Sequence, residues 1–209
     1  MELDLVSELA LAGRTEDGRG HTGSALAVAA GELAELSMRG RLAIDFRHAT
    51  VADPNPTGHP DLDQVLGWLL AHGRPMRLHR CLNGRAQHYG WMLNRLAGAG
   101  LFAVDSKKVM GMFPTHRYVP LQTARNVALN RLWELLRGHR EADRRTIAFG
   151  GILWGTGLAR ELIPYKDDLR LLRRFAEHDP LGRAAASIIA SNQAAASVAA
   201  TTTVTATAF

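Results

Sequence analysis

The stretch GELAELSMRGRLAIDFRHATVADPNPTGHPDLDQVLGWLL (Gly31–Leu70) constrains the fold most, because a helix end, a strand, a turn and a helix start follow one another within it. Leu33, Leu36 and Met38 alternate with acidic residues and end at Arg39-Gly40. Arg in the last turn complements the helix dipole, and Gly just beyond it can adopt the left-handed cap. Leu42, Ile44 and Phe46 then recur at period two, as in a half-buried strand. Asn55-Pro56-Thr57-Gly58 is a turn by composition. Pro60 suits a first helical position, and Asp61 and Asp63 add negative charge where the dipole favours it. Leu62, Val65, Leu66, Leu69 and Leu70 form one apolar stripe.

The remainder of the chain is mostly helical by the same criteria. Leu3–Leu11 reads as a short helix ended by Gly13. Arg14–Gly23 is a polar, Gly-rich loop. It lacks the Lys-Ser/Thr of a phosphate-binding P-loop and follows no strand, so it reads as a connector. Ser24–Met38, rich in alanine, suits close helix–helix packing. A basic patch (Arg74, Arg77, His79, Arg80, Arg85 and His88) follows the Leu62–Ala71 helix. Next comes a helix over Asn83–Leu96, with its cap near Asn83. Leu101–Val104 and Val109–Phe113 flank Asp105-Ser106-Lys107-Lys108 as a hairpin with a charged tip. Helices are expected at Pro120–Arg137, Thr146–Ile163 (apolar on nearly all sides, hence buried and central), Lys166–His178 and Pro180 to about Ala200. About eight helices with short strand pairs make a mainly α fold: one domain over residues 1–200 and a disordered tail over 201–209.

With 209 residues, 46% of them apolar, the chain can bury a full core, and its net charge of +5 favours anionic partners. Lys107, Lys108 and Lys166 are the only lysines among 25 basic residues. Cys81 is the sole cysteine, which excludes a disulfide framework and a thiolate zinc site and fits a reducing cytoplasm. The acidic start (Glu2, Asp4, Glu8) is unlike a signal peptide, and no apolar run is long enough to span a bilayer. Any membrane contact is therefore expected to be peripheral.

Catalytic and metal constellations are absent from the sequence. The nine histidines form no HExxH or comparable ligand spacing. Asp61 and Asp63 are explained by the helix start, there is no G-x-S-x-G elbow, and Cys81 has no nucleophile signature. Trp68, Trp91, Trp133 and Trp154 sit in helical segments as core or edge residues. The expectation is a binding protein, not an enzyme, with no cofactor.

Three blocks in order, ELSMRGRL (Glu35–Leu42), the PTG-x-x-x-LD-x-x-L run (Pro56–Leu66) and RLAGAGLFAVDSKKVMGMFPTHRY up to Tyr118, resemble the Golgi phosphoprotein 3 family over roughly residues 3–200, with the bacterial branch closer. The resemblance implies a helical bundle wrapped by amphipathic helices with a protruding β-hairpin. It also implies a peripheral membrane protein akin to the phosphatidylinositol 4-phosphate-binding adaptors of that family. The family's headgroup positions fall here on Gly20, Ala29, Ala86 and Tyr89. The lipid-binding candidates are thus Arg19, Arg85, His88 and Tyr89. Lys107 and Lys108 are the hairpin's interaction candidates, and Leu101–Phe113 is the segment for membrane contact or self-association. The expected partner is an anionic headgroup or membrane surface, at the inner face of a membrane. A self-assembling adaptor or structural protein is one alternative, and a winged-helix-like nucleic-acid binder is another. Nucleic acid is disfavoured, because Ala86–Leu96, the helix that would read it, carries little basic charge beyond Arg95.

Overall fold

Two almost wholly buried helices, α1 (Leu5–Ala12) and α2 (Ser24–Met38), form the axis of the molecule. All of α1 is buried, as is every residue of α2 from Ser24 to Leu36 except Ala25. Small side chains allow this: a Cβ on Gly31 would stand 2.8 Å from Leu9 Cδ1. Around the axis follow β1 (Leu42–Ile44), β2 (His48–Val51), α3 (Pro60–Leu70), β3 (Met76–Arg77), α4 (Leu78–Ala86), α5 (Tyr89–Gly98), β4 (Phe102–Val109), β5 (Phe113–Pro120), α6 (Gln122–Leu136), α7 (Arg144–Gly155), α8 (Ala159–Leu162), α9 (Lys166–His178) and α10 (Pro180–Ala206). The structure, a computed structural model, describes residues 3–109, 113–139 and 141–206, with backbone alone at 106–109, 113–115 and 194–206. The class is mainly α.

The Gly31–Leu70 stretch keeps the helix end, turn and helix start of its sequence reading, but β1 stops at Ile44, which leaves Phe46 exposed beyond the strand, and Leu70 is exposed at the end of the α3 stripe. Gly40 takes φ 72°, and Arg41 N–H donates to Leu36 O at 2.8 Å, closing the last turn of α2 in a Schellman motif. Asp63 accepts from both the N–H and the hydroxyl of Thr57 at 2.6 Å, which fastens the Pro-Thr-Gly turn onto the first turn of α3. β1 pairs with β2 antiparallel, and β3 adds a third strand to that sheet, with His48 opposite Arg77 and Ala49 opposite Met76.

Two apolar cores lie on either side of the axis. The larger gathers α2, α3, α4, α7, α9 and α10 around Leu33, Leu82, Phe149 and Ile152. The smaller joins Val6 and Leu11 of α1 to Met92, Leu93 and Leu96 of α5, and to Phe102 and Tyr118 at the hairpin base.

Beyond shifts of one or two residues at the ends of α1, α3 and α6, where Pro120 closes β5 and does not start the helix, four larger differences from the sequence expectation stand out. The helix expected from Asn83 is two helices: α4 begins earlier, at Leu78, and the chain breaks at Gln87-His88. The inner stripe of α4 (Leu78, Cys81, Leu82, Arg85) faces the axis, whereas Met92, Leu93 and Leu96 of α5 face the smaller core, so the chain must re-aim between them. The Thr146–Ile163 helix is also divided. The Thr156 hydroxyl donates back to Ile152 O at 2.8 Å, and Gly157, at φ 82°, turns the chain into α8. The hairpin strands run through the tip expected at Asp105–Lys108. Asp105 pairs with Arg117 and Lys107 with Thr115, while residues 110–112 between the strands lie outside the described residues. Polar residues mark no turn here, because a two-stranded ribbon has no fully covered face. Finally, α10 continues through Ala206, beyond Ala200.

Candidate anion-binding surface

The loop between α1 and α2 is closed by its own hydrogen bonds. Gly18 N–H donates to Thr15 O (2.9 Å), Arg19 N–H to Thr15 Oγ1 (2.8 Å) and His21 N–H to Gly13 O (3.1 Å). Those amides are committed inside the loop, so it is a connector and not a backbone phosphate cradle. The Thr15 hydroxyl also holds the Asp17 carboxyl below the usual carboxylate range.

What fixes this loop to the rest of the molecule is Arg14. Its guanidinium carbon lies 5.5 Å from the ring centres of both Tyr89 and Tyr118. Nε donates to Tyr89 Oη at 3.3 Å, and Nη1 to Gly18 O at 3.0 Å. A Cβ on Gly20 would sit 3.4 Å from the same guanidinium carbon. Arg14 therefore brings together Gly20 and Tyr89, two of the four positions that the resemblance singles out. Ala29 is buried inside α2, and Ala86 packs against the larger core.

The sequence candidates separate in space. Arg19 is exposed on the loop and paired with Asp17 at 2.9 Å. His88 is exposed at the start of α5, where Tyr89 is half-buried against Arg14. Arg117, exposed on β5, packs along Gly18, and Arg125 of α6 reaches Glu16 at 3.9 Å. Arg85 is in the interior. Only 5% exposed, it donates from Nε and Nη2 to the two carboxylate oxygens of Glu32 at 2.7 and 2.8 Å. Burial pushes the Glu32 carboxyl up, and the Arg85 hydrogen bonds pull it down. An arginine enclosed with its counter-ion offers no charge to an external headgroup, which removes Arg85 from the lipid-binding candidates. The side chains of Lys107 and Lys108 lie outside the described residues.

Sequence reasoning missed Arg14, whose signal would have been a cation directly after the helix-ending Gly13. It also missed the buried acids. Glu35 accepts from Leu5 N–H at 2.7 Å, and Arg145 bridges Glu35 (3.4 Å) and Glu8 (3.3 Å). Glutamates on two helices composed mainly of Ala, Leu and Val were the available sign of internal ion pairs.

No group of side chains among the described residues could hold a metal ion. Cys81 is buried, and burial pushes its thiol up to about 11, far from a reactive thiolate. No helix among the described residues is long and apolar enough to cross a membrane.

No curated protein matches the chain at a significant level. The family model of Golgi phosphoprotein 3 (GPP34), in contrast, matches residues 5–201, nearly the whole chain. With the helical bundle, the projecting hairpin and the RGRL and Pro-Thr-Gly segments placed as above, the chain belongs to the Golgi phosphoprotein 3 family.

Proposed function

We propose that this protein is a peripheral, non-enzymatic binder of anionic lipid that docks through the loop 14–23, the start of α5 and the hairpin base. The observation that carries this reading is Arg14, which stacks between Tyr89 and Tyr118 and holds the loop so that Arg19, Arg117 and His88 stay exposed around it. A guanidinium against Gly20 and Tyr89 supplies positive charge in the region where the family resemblance expects headgroup contacts. The net charge of +5 favours approach to an anionic surface. Arg14 is partly committed to its tyrosines and Arg85 is internal, so the reading is general anionic-lipid binding, with phosphoinositide as one such ligand.

Co-sedimentation with neutral, generically anionic and phosphatidylinositol 4-phosphate-containing vesicles at two salt concentrations tests this. Binding to every anionic vesicle, weakening with salt, is the expected result. Absence from all vesicle pellets would refute it.

A second reading, self-assembly, is favoured by the hairpin. β4 and β5 form a two-stranded sheet whose outer edges pair with no other described strand. Concentration-dependent sedimentation of the full chain that vanishes on deleting Asp105–Lys108 would favour it.

A further inference from the structure

Away from the loop surface, the β2–β3 edge and the start of α4 form a basic concavity. Period-two alternation sends Ala49 and Met76 into the core and leaves the opposed pair His48 and Arg77 on the outer face. Leu78, Cys81, Leu82 and Arg85 point inward from α4, which leaves His79 and Arg80 exposed on its first turn. Two hollows result. One, of about 510 Å³, is lined by Phe46, Arg47, His48, Arg77, His79 and Arg80. The other, of about 440 Å³, shares His48, Arg77 and Arg80 and adds His72 and Arg74. Each is the size of an ordinary small-ligand site.

Many arginines elsewhere in the molecule are ion-paired, among them Arg19 with Asp17, Arg41 with Asp53, Arg85 with Glu32, Arg95 with Asp61, Arg145 with Glu8 and Glu35, and Arg173 with Glu177. None of Arg47, Arg74, Arg77 and Arg80 is ion-paired to a described residue, and no carboxylate lines either hollow. Asp45, at the edge, accepts the backbone N–H groups of Arg47 and His48 at 2.6 and 2.7 Å and stands 3.9 Å from His48 Nδ1, so it offsets charge at the Arg47 end only. Arg183 lies over the Phe46 ring at 4.5 Å, adding a fifth guanidinium at the rim. Arg77 occupies the N-cap of α4 with no side-chain cap, so the positive end of that helix opens on the same side. Guanidinium forks lining one hollow match the oxygens of phosphate, and several cations without ion-pair partners favour a dianion over a monoanion. A ridge or stripe would suit a nucleic-acid backbone. This is a hollow, and its Phe46 ring is already covered by Arg183.

We infer that the hollow between β2, β3 and the start of α4 is a phosphate-monoester binding site, with Arg77 and Arg80 as its central ligands and Arg47 and Arg74 at its two ends. The site is separate from the Arg14 surface and does not depend on the lipid reading given above.

The test uses the full chain, with NMR of the guanidinium Nε–H signals and calorimetry. The probes are inorganic phosphate, glycerol 3-phosphate, and phosphatidylcholine vesicles with or without phosphatidic acid, a lipid monoester. The Arg77→Gln/Arg80→Gln variant is compared with Arg174→Gln, which removes an exposed arginine of α9 outside both surfaces. Saturable binding that falls at least tenfold in the double variant and is unchanged in Arg174→Gln is expected. A response to the soluble probes that the double variant loses identifies a free phosphate ligand, and a response to phosphatidic acid vesicles alone that the double variant loses identifies a lipid headgroup; either supports the site. Because these arginines make no internal ion pairs, the double variant should melt no lower than the wild type, so lost binding cannot be ascribed to unfolding. No binding of any probe, or equal binding by the double variant, would overturn the inference.

Discussion

Arg85 and Glu32 show how far a single side chain's role depends on a partner distant in sequence. A basic residue in a basic stretch reads as solvent-facing until the fold brings α2 against α4. Removing one member of a buried pair leaves an uncompensated charge, which costs about 3–5 kcal/mol. Arg85→Met should therefore lower the unfolding free energy by about that much in a denaturant titration, and Glu32→Leu/Arg85→Met should recover most of it. A double variant as unstable as the single one would mean that the pair does more than neutralise itself. Two other acids make stability depend on pH. Burial raises Glu8 from 4.5 to about 6, against the pull of Arg145, and raises Asp179 from 3.8 to about 6, against backbone hydrogen bonds from Gly182 and Leu181. Each has a folded pKa above its unfolded one, so the fold holds the extra proton between the two values. Stability is then fully present below about pH 4 and is lost as pH rises through about 6. Asp179 also caps α10, accepting from Gly182 N–H at 2.6 Å, a bond that Asn can keep. Asp179→Asn should flatten the difference in melting temperature between pH 5 and pH 7 by an amount equivalent to about 1–2 kcal/mol. An unchanged pH profile would contradict this.

At the scale of the element, the closest helix crossing is α7 on α10. A Cβ on Gly155 would collide with Gly182 O, and one on Gly182 would lie 2.5 Å from Gly151 O. Gly155→Ala must push the helices apart and should cost about 2 kcal/mol or more. Gly67→Ala, on α3 with open space around it, should stabilise by about 0.5–1 kcal/mol through helix propensity. Thermal melts of the two variants should move in opposite directions. These crossings also explain which elements were legible in the sequence. The limits of α2 and α9 match their sequence reading residue for residue, because Gly40 ends one and Pro180 closely follows the other. The α4–α5 break was hidden, because apolar spacing runs on through Gln87-His88 and only the existence of two cores requires a turn there. The hairpin was found, but its charged residues were mistaken for its tip. Of the residues grouped on the candidate surface, Arg19, His88 and Tyr89 are the ones that the sequence singles out. Arg14, which holds them to one another's elements, was not, since its tyrosines come from α5 and β5.

For the molecule as a whole, internal pairing decides where the positive charge is available. Arginines that face carboxylates across the bundle hold helices together, whereas Arg14 with its tyrosines and the cluster at Arg77 and Arg80 lie on the surface. Association with anionic membrane should therefore be electrostatic and strongly weakened by salt, with little dependence on headgroup identity at the loop surface. Hydrogen exchange of the full chain on anionic vesicles, against neutral vesicles as control, tests the central claim most directly. The account predicts slowed exchange in the loop 14–23 and along β5 near Arg117 on anionic vesicles alone. Vesicle-bound protein whose loop and β5 exchange as fast as in solution would contradict it.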